Sequence, residues 1–239
     1  MLTVHPDDGI VIPIQAIILD LDGTLIEHDE DYKRACVMSV ISYSGEEKWQ
    51  SIEADFKPKS LPRKLKKVYE HGLHSAEAYM DKKPPEIAQL YLARCEMSLD
   101  YIKPNEELRE ALLCAKESGI KLFVMTHSQE VMALKALKKA GLDDVFEKGD
   151  VNNAGRKESS ETFESYLNDK VSDINPKNVA LFDDAKNNVA AAEKAGLTAV
   201  HVEKDDDESL AKLINDIVIY NEAYVFEAQV DLLNRPIEP

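Results

Sequence analysis

The chain has 239 residues, of which 44% are hydrophobic and 31% charged. That globular mix excludes a disordered, collagen-like or disulfide-scaffold protein. With 29 Lys and Arg against 45 Asp and Glu, the net charge of −16 is repelled by phosphate backbones and anionic lipid surfaces, which argues against a general nucleic-acid or membrane-surface binder.

At about 150 residues per domain, the length suits one large domain or one with a smaller companion. Cys36, Cys95 and Cys114 show no CxxC or Cys/His spacing, so they are expected to be buried, reduced thiols rather than metal ligands. The longest apolar run, residues 10–19, is interrupted by Pro13 and Gln15 and is about half a membrane span. No basic stretch followed by an apolar run opens the sequence. The expectation is a cytoplasmic protein.

In chain order, the first predicted strand is residues 14–19, β-branched and nearly continuous until Asp20. Such a run fits a strand buried on both faces of a parallel sheet. Helical patterns follow at 31–43, 46–56, 61–72 and 84–97, with no buried strand among them. Residues 105–118 carry Leu108, Ala111, Leu112 and Ala115 at close to a 3.6 period and stop at Gly119. Residues 121–125 read as a second strand ending at Thr126. Ser128 is expected to cap a helix bearing Val131, Leu134, Ala136 and Leu137 that stops at Gly141. Val145-Phe146 is a weak strand candidate. A helical pattern starts at Glu158 or Ser159, a strand at 179–182 ends at Asp183, and an Ala-rich helix at 185–195 stops at Gly196. A last strand is expected at 198–202, and the acidic stretch 205–208 suits a helix start. The segment after Asn221 reads as a last helix on the sheet or an oligomer contact.

The strand–helix alternation predicts an α/β fold, a Rossmann-like doubly wound parallel sheet, with a smaller all-helical domain inserted. The expected division is 1–28 with 104–239 as the core and 29–103 as the insertion. Ligands bind at the carboxyl ends of strands in such sheets, which makes Asp20/Asp22, Thr126 and Asp183/Asp184 candidates for one site. In Asp20-Leu21-Asp22-Gly23-Thr24, two carboxylates two residues apart repel unless a cation sits between them or one is protonated. A hard divalent ion such as Mg²⁺ takes oxygen ligands of this kind. Gly23 permits a sharp turn.

Asp20-Leu21-Asp22-Gly23-Thr24-Leu25 resembles the first signature of the haloacid dehalogenase-like superfamily. Residues 122–126 match its second signature, an apolar strand ending in Thr or Ser. Lys157, in Gly155-Arg156-Lys157, matches its lone lysine, and Ala180-Leu181-Phe182-Asp183-Asp184 matches its paired acids. The resemblance implies that Asp20 is the nucleophile and Asp22 the general acid and base. It implies that Thr126 and Lys157 hold phosphoryl oxygens. Mg²⁺ would be bound by the carboxylates of Asp20 and Asp183 and the Asp22 carbonyl, with Asp184 in support. Gly23, Thr24, His127 and Asn188 become the candidates for touching substrate. For His127 the other reading is a helix-entry residue. For Asn188 it is a cap, or a hydrogen bond to Asp183 or Asp184. Arg156 is the alternative phosphate binder to Lys157.

The same resemblance makes residues 29–103 a helical cap, in which Trp49 is either core or substrate platform. Because a halide leaves without a proton and an alkoxide does not, Asp22 favours phosphoryl transfer over dehalogenation. The implied activity is Mg²⁺-dependent hydrolysis of a small phosphorylated metabolite, a nucleotide or sugar phosphate. The alternatives are a phosphomutase and a silent binding module. Neither nucleic acid nor membrane is an expected partner, and the chain is expected to be a monomer or homodimer.

Overall fold

The computed structural model describes residues 13–27, 30–44, 52, 56–70, 96, 98–154, 157–202 and 210–233. The described strands are β1 (Ala16–Leu19), β2 (Lys121–Thr126), β3 (Val151–Asn153), β4 (Val179–Asp183) and β5 (Thr198–His201). The described helices include α1 (Glu30–Ser44), α2 (Glu106–Glu117), α3 (Glu130–Lys139), α4 (Ser160–Lys170), α5 (Lys186–Lys194) and α6 (Leu210–Leu233); residues 63–70 are also helical.

The strands form one five-stranded sheet in the order β3-β2-β1-β4-β5. β2 pairs with β3, and β4 with β5, in parallel. Gln15 donates its amide to the Asn178 carbonyl at 2.8 Å, and its own carbonyl accepts from the Lys121 amide at 3.0 Å. Those partners stand at the starts of β4 and β2, so the three inner strands begin level and finish at the same edge. This is the predicted parallel α/β sheet. Its central strands are apolar on both faces: Ala16, Ile17, Ile18 and Leu19 are all 0% exposed, as the near-continuous hydrophobic run requires.

The chain divides into two compact units. The first comprises residues 1–18, 106–123 and 157–239. In it, α2 buries Leu108, Ala111, Leu112 and Ala115, as its period predicts, and packs against α6. On α6, Leu210, Ala211, Leu213, Ile214 and Val218 are buried. Asn221 of α6 donates from Nδ2 to the Ile14 carbonyl at 2.6 Å and accepts the Ile14 amide at 3.1 Å. The segment around Asn221 is therefore helix, tied to the backbone that leads into β1. Cys114 corrects the expectation of buried thiols: it is exposed, whereas Cys36 is buried. Position 114 lies about 200° round the helix from Leu112, on the face away from the apolar stripe.

The second unit comprises residues 19–105 and 124–156. Here the Tyr69 hydroxyl donates to Glu30 on α1, and the Lys33 ammonium lies 5.5 Å from the Tyr69 ring centroid, a cation–π distance. Burial and the hydrogen bond to Glu30 push the Tyr69 hydroxyl up to about 12. Lys135 and Lys139, one turn apart on α3, pair with Glu96 and Asp100.

Val145-Phe146 is not a strand. Both are buried at 0% and 2% exposure in a turn whose amides donate to the Leu142 carbonyl at 3.2 and 3.1 Å. Their apolarity fills core, and the sheet instead takes Val151–Asn153, an edge strand with one buried residue. The predicted helices at 46–56 and 84–97 lie almost entirely outside the described residues, as do Trp49, Cys95, Arg156 and the acidic stretch 205–208. No helix among the described residues is long and apolar enough to cross a membrane.

Candidate active site

β1 leaves the sheet at Asp20, a carboxylate only 6% exposed. The chain then doubles back through a tight loop. The Gly23 amide donates to the Ile26 carbonyl and the Ile26 amide to the Leu21 carbonyl, both at 2.9 Å. Gly23 sits at φ 93°, a conformation that a side chain disfavours. The loop fixes the Asp22 backbone. Its side chain is held separately: Ser128 Oγ donates to Asp22 Oδ2 at 3.2 Å, and Tyr32 Oη to Asp22 Oδ1 at 3.5 Å. Thr24 Oγ1 is buried and has no hydrogen-bond partner among the described residues.

β2 delivers Thr126, 1% exposed. Its hydroxyl oxygen accepts from the Ser128 amide at 3.0 Å, a local turn that leaves the Thr126 proton to be donated elsewhere. Asn153, the last residue of β3, braces this loop by donating to the Ser128 carbonyl at 2.9 Å and the His127 carbonyl at 3.3 Å. Ser128 therefore does not cap α3. The N-cap is Gln129, which makes no side-chain cap bond, and the Ser128 hydroxyl is turned to Asp22 instead. His127, half-buried, stands two residues ahead of that cap.

β4 delivers Asp183, 0% exposed. Lys157, 1% exposed, approaches its Oδ2 at 2.9 Å. Asn188 Nδ2 donates to both carboxylate oxygens at 3.0 Å, and the Ala185 amide to Oδ1 at 2.9 Å. Lys157 lies just ahead of α4, and Asn188 is in the first turn of α5. Asn188 thus takes the hydrogen-bonding alternative, directed at Asp183. The Asp184 carbonyl lies 2.9 Å from His201 Nε2.

One carboxylate oxygen from each of Asp20, Asp183 and Asp184 lies within 4.8 Å of the others. Three such groups repel unless a cation or a proton intervenes, and an all-oxygen donor set suits a hard divalent ion. The residues present therefore fit a metal ion of that class.

Sequence reasoning missed Tyr32, Asn153 and His201 and gave Ser128 the wrong task. Asn153 was findable as a polar residue at a strand exit, had β3 been recognised. Tyr32 carries no local signal.

A family model described as haloacid dehalogenase-like hydrolase matches residues 14–196. A curated protein of Caldanaerobacter subterraneus subsp. tengcongensis named "Putative pyrophosphatase PpaX" is 30% identical over 138 residues, 56% of each chain. The match thus spans about half the length of that relative. A solved structure described as a "putative beta-phosphoglucomutase", from Thermotoga maritima, superposes with a TM-score of 0.56 at 22% identity, covering 88% of this chain and 99% of the other. A haloacid dehalogenase-superfamily hydrolase from Geobacter sulfurreducens gives 0.54 at 17% identity, covering 86% and 96%. At these identities the structural matches speak to the fold.

Proposed function

The chain belongs to the haloacid dehalogenase-like hydrolases, and on that premise we propose that it is a Mg²⁺-dependent phosphatase of small phosphorylated metabolites, acting through an aspartyl-phosphate. The observation that carries this reading is Asp22. It is a second carboxylate beside the nucleophile, held at both oxygens by neutral hydroxyls. A leaving alkoxide needs such an acid; a leaving halide does not.

The Asp20 carboxylate attacks phosphorus while Asp22 gives its proton to the departing oxygen. Asp22 then takes a proton from water, which attacks the same phosphorus and frees Asp20. Thr126 donates its hydroxyl hydrogen to a phosphoryl oxygen, and Lys157 adds a buried positive charge. Asp20, Asp183 and Asp184 would hold the metal through their carboxylates, with the Asp22 carbonyl as a further ligand. When bound, Mg²⁺ supplies the positive charge that lets an anionic nucleophile meet an anionic ester. Asn188 and the Ala185 amide orient Asp183 for that task. Segments between 29 and 103 serve as a cap that excludes water.

The test is hydrolysis of a panel of nucleotides, sugar phosphates, inorganic pyrophosphate and an aryl phosphate. Pyrophosphate joins the panel because of the relative's name. A chelator should remove turnover and Mg²⁺ restore it. Mg²⁺ should also raise the melting temperature of the wild type without any substrate. Activity unchanged by exhaustive chelation would overturn the metal assignment. Activation by a sugar bisphosphate, with the phosphoryl group retained, would indicate a mutase.

Residues 57–67 carry six cations and no acid, and Lys57 and Lys59 are exposed. They help to attract the anionic substrate. Lys57→Glu with Lys59→Glu should raise KM about two- to fivefold, the scale of exposed charge interactions, with kcat unchanged. An unaltered KM would remove these residues from substrate capture.

A further inference from the structure

We propose that Tyr32 and Ser128 are positioning residues that aim the Asp22 carboxylate at the leaving-group oxygen, an assignment that rests on the acid–base role given to Asp22 above. Tyr32 comes from α1 and Ser128 from the loop after β2. They are 10 and 106 residues from Asp22 in sequence. Each hydroxyl donates to a different carboxylate oxygen, so together they fix rotation about both side-chain bonds of Asp22.

Their own placement is fixed as well. Tyr32 is 1% exposed and Ser128 0%. The Ser128 amide is bound by Thr126 Oγ1 and its carbonyl by Asn153 Nδ2. Asp22 itself is only half-buried, so burial alone does not set the direction of its side chain. The Tyr32 bond is long at 3.5 Å; catalytic hydrogen bonds are often long without substrate and tighten in its presence.

The chemistry of the two donors matters. A hydroxyl fixes direction without adding charge. It can donate to the carboxylate in one half-reaction and accept from the protonated acid in the other. The same loop that presents the Thr126 hydroxyl thus also aims the proton, since Ser128 binds both Thr126 and Asp22. A misplacement of 1 Å costs about 10²-fold in rate.

The experiment compares an alkyl phosphate, whose leaving alkoxide needs a proton, with 2,4-dinitrophenyl phosphate, whose phenolate does not. Tyr32→Phe with Ser128→Ala should lower kcat for the alkyl ester about 10- to 100-fold, leave its KM within about twofold, and change the dinitrophenyl rate by less than about threefold. Adding both substitutions to Asp22→Asn should cause no further loss. Equal losses on both esters, or a further loss on top of Asp22→Asn, would mark a merely structural role and overturn the assignment. Either single substitution carries the test if the double variant fails to fold. Should Asp22→Asn itself not discriminate between the esters, the acid–base reading of Asp22 fails, and this assignment with it. A selective Asp22→Asn beside an unselective Tyr32→Phe/Ser128→Ala would fail this assignment alone.

Discussion

Asp20→Asn should remove turnover by about 10⁴- to 10⁶-fold, the scale on which losing a covalent nucleophile is felt, while the protein stays folded. The amide matches the carboxylate in size, so the packing around a residue 6% exposed is kept. It cannot form an acyl phosphate. The change also removes one of three carboxylates that crowd within 4.8 Å, so the metal-free variant should melt no lower than the wild type. Its stabilisation by Mg²⁺ should shrink. Three readouts check this: single-turnover kinetics, trapping of a phosphorylated aspartate, and melting curves with and without Mg²⁺. Single-turnover rates within tenfold of the wild type would reject Asp20 as nucleophile.

Lys157→Met should damage both activity and stability. The Lys157–Asp183 pair is 1% and 0% exposed, so solvent screens it little. Removing one member of a buried pair leaves the other charge uncompensated, at about 3–5 kcal/mol. For a chain of this size that is roughly 10 °C in melting temperature. Asn188 and the Ala185 amide still bind Asp183, which favours the lower end of the range. Asp183→Leu in the Lys157→Met background should recover much of the stability and none of the activity, since it removes the orphaned charge together with a metal ligand. Urea unfolding in the presence of chelator is the check. A midpoint unmoved by Lys157→Met would mean that the pair contributes nothing to the fold.

The central strands were legible in the sequence because burial on both faces leaves an unbroken apolar run, as in 14–19 and 179–182. The polar residues that end them were legible for the same reason: the run stops where the site begins. An edge strand of three residues with one buried side chain has no such signature. Val145 and Phe146 mimicked one because a plugged turn also needs apolar residues. Ser128 looked like a cap because serine ahead of a helix usually is one, and only a carboxylate 106 positions away decided otherwise. Tyr32 reads as an ordinary aromatic of a helix face. Lys157 and Asp183 are each legible singly as a match to a signature, but their direct contact depends on the fold and is written in neither.

The twofold clasp between Asn221 and Ile14 joins positions 207 residues apart. β1 is flanked in the finished sheet by β2 and β4, both of which are synthesised well after it. At synthesis rates of about 5–20 residues per second, the nascent segment waits roughly 10 to 40 s between the emergence of Ile14 and that of Asn221. Full pairing of the central strand therefore follows the synthesis of β4 and cannot proceed strand by strand.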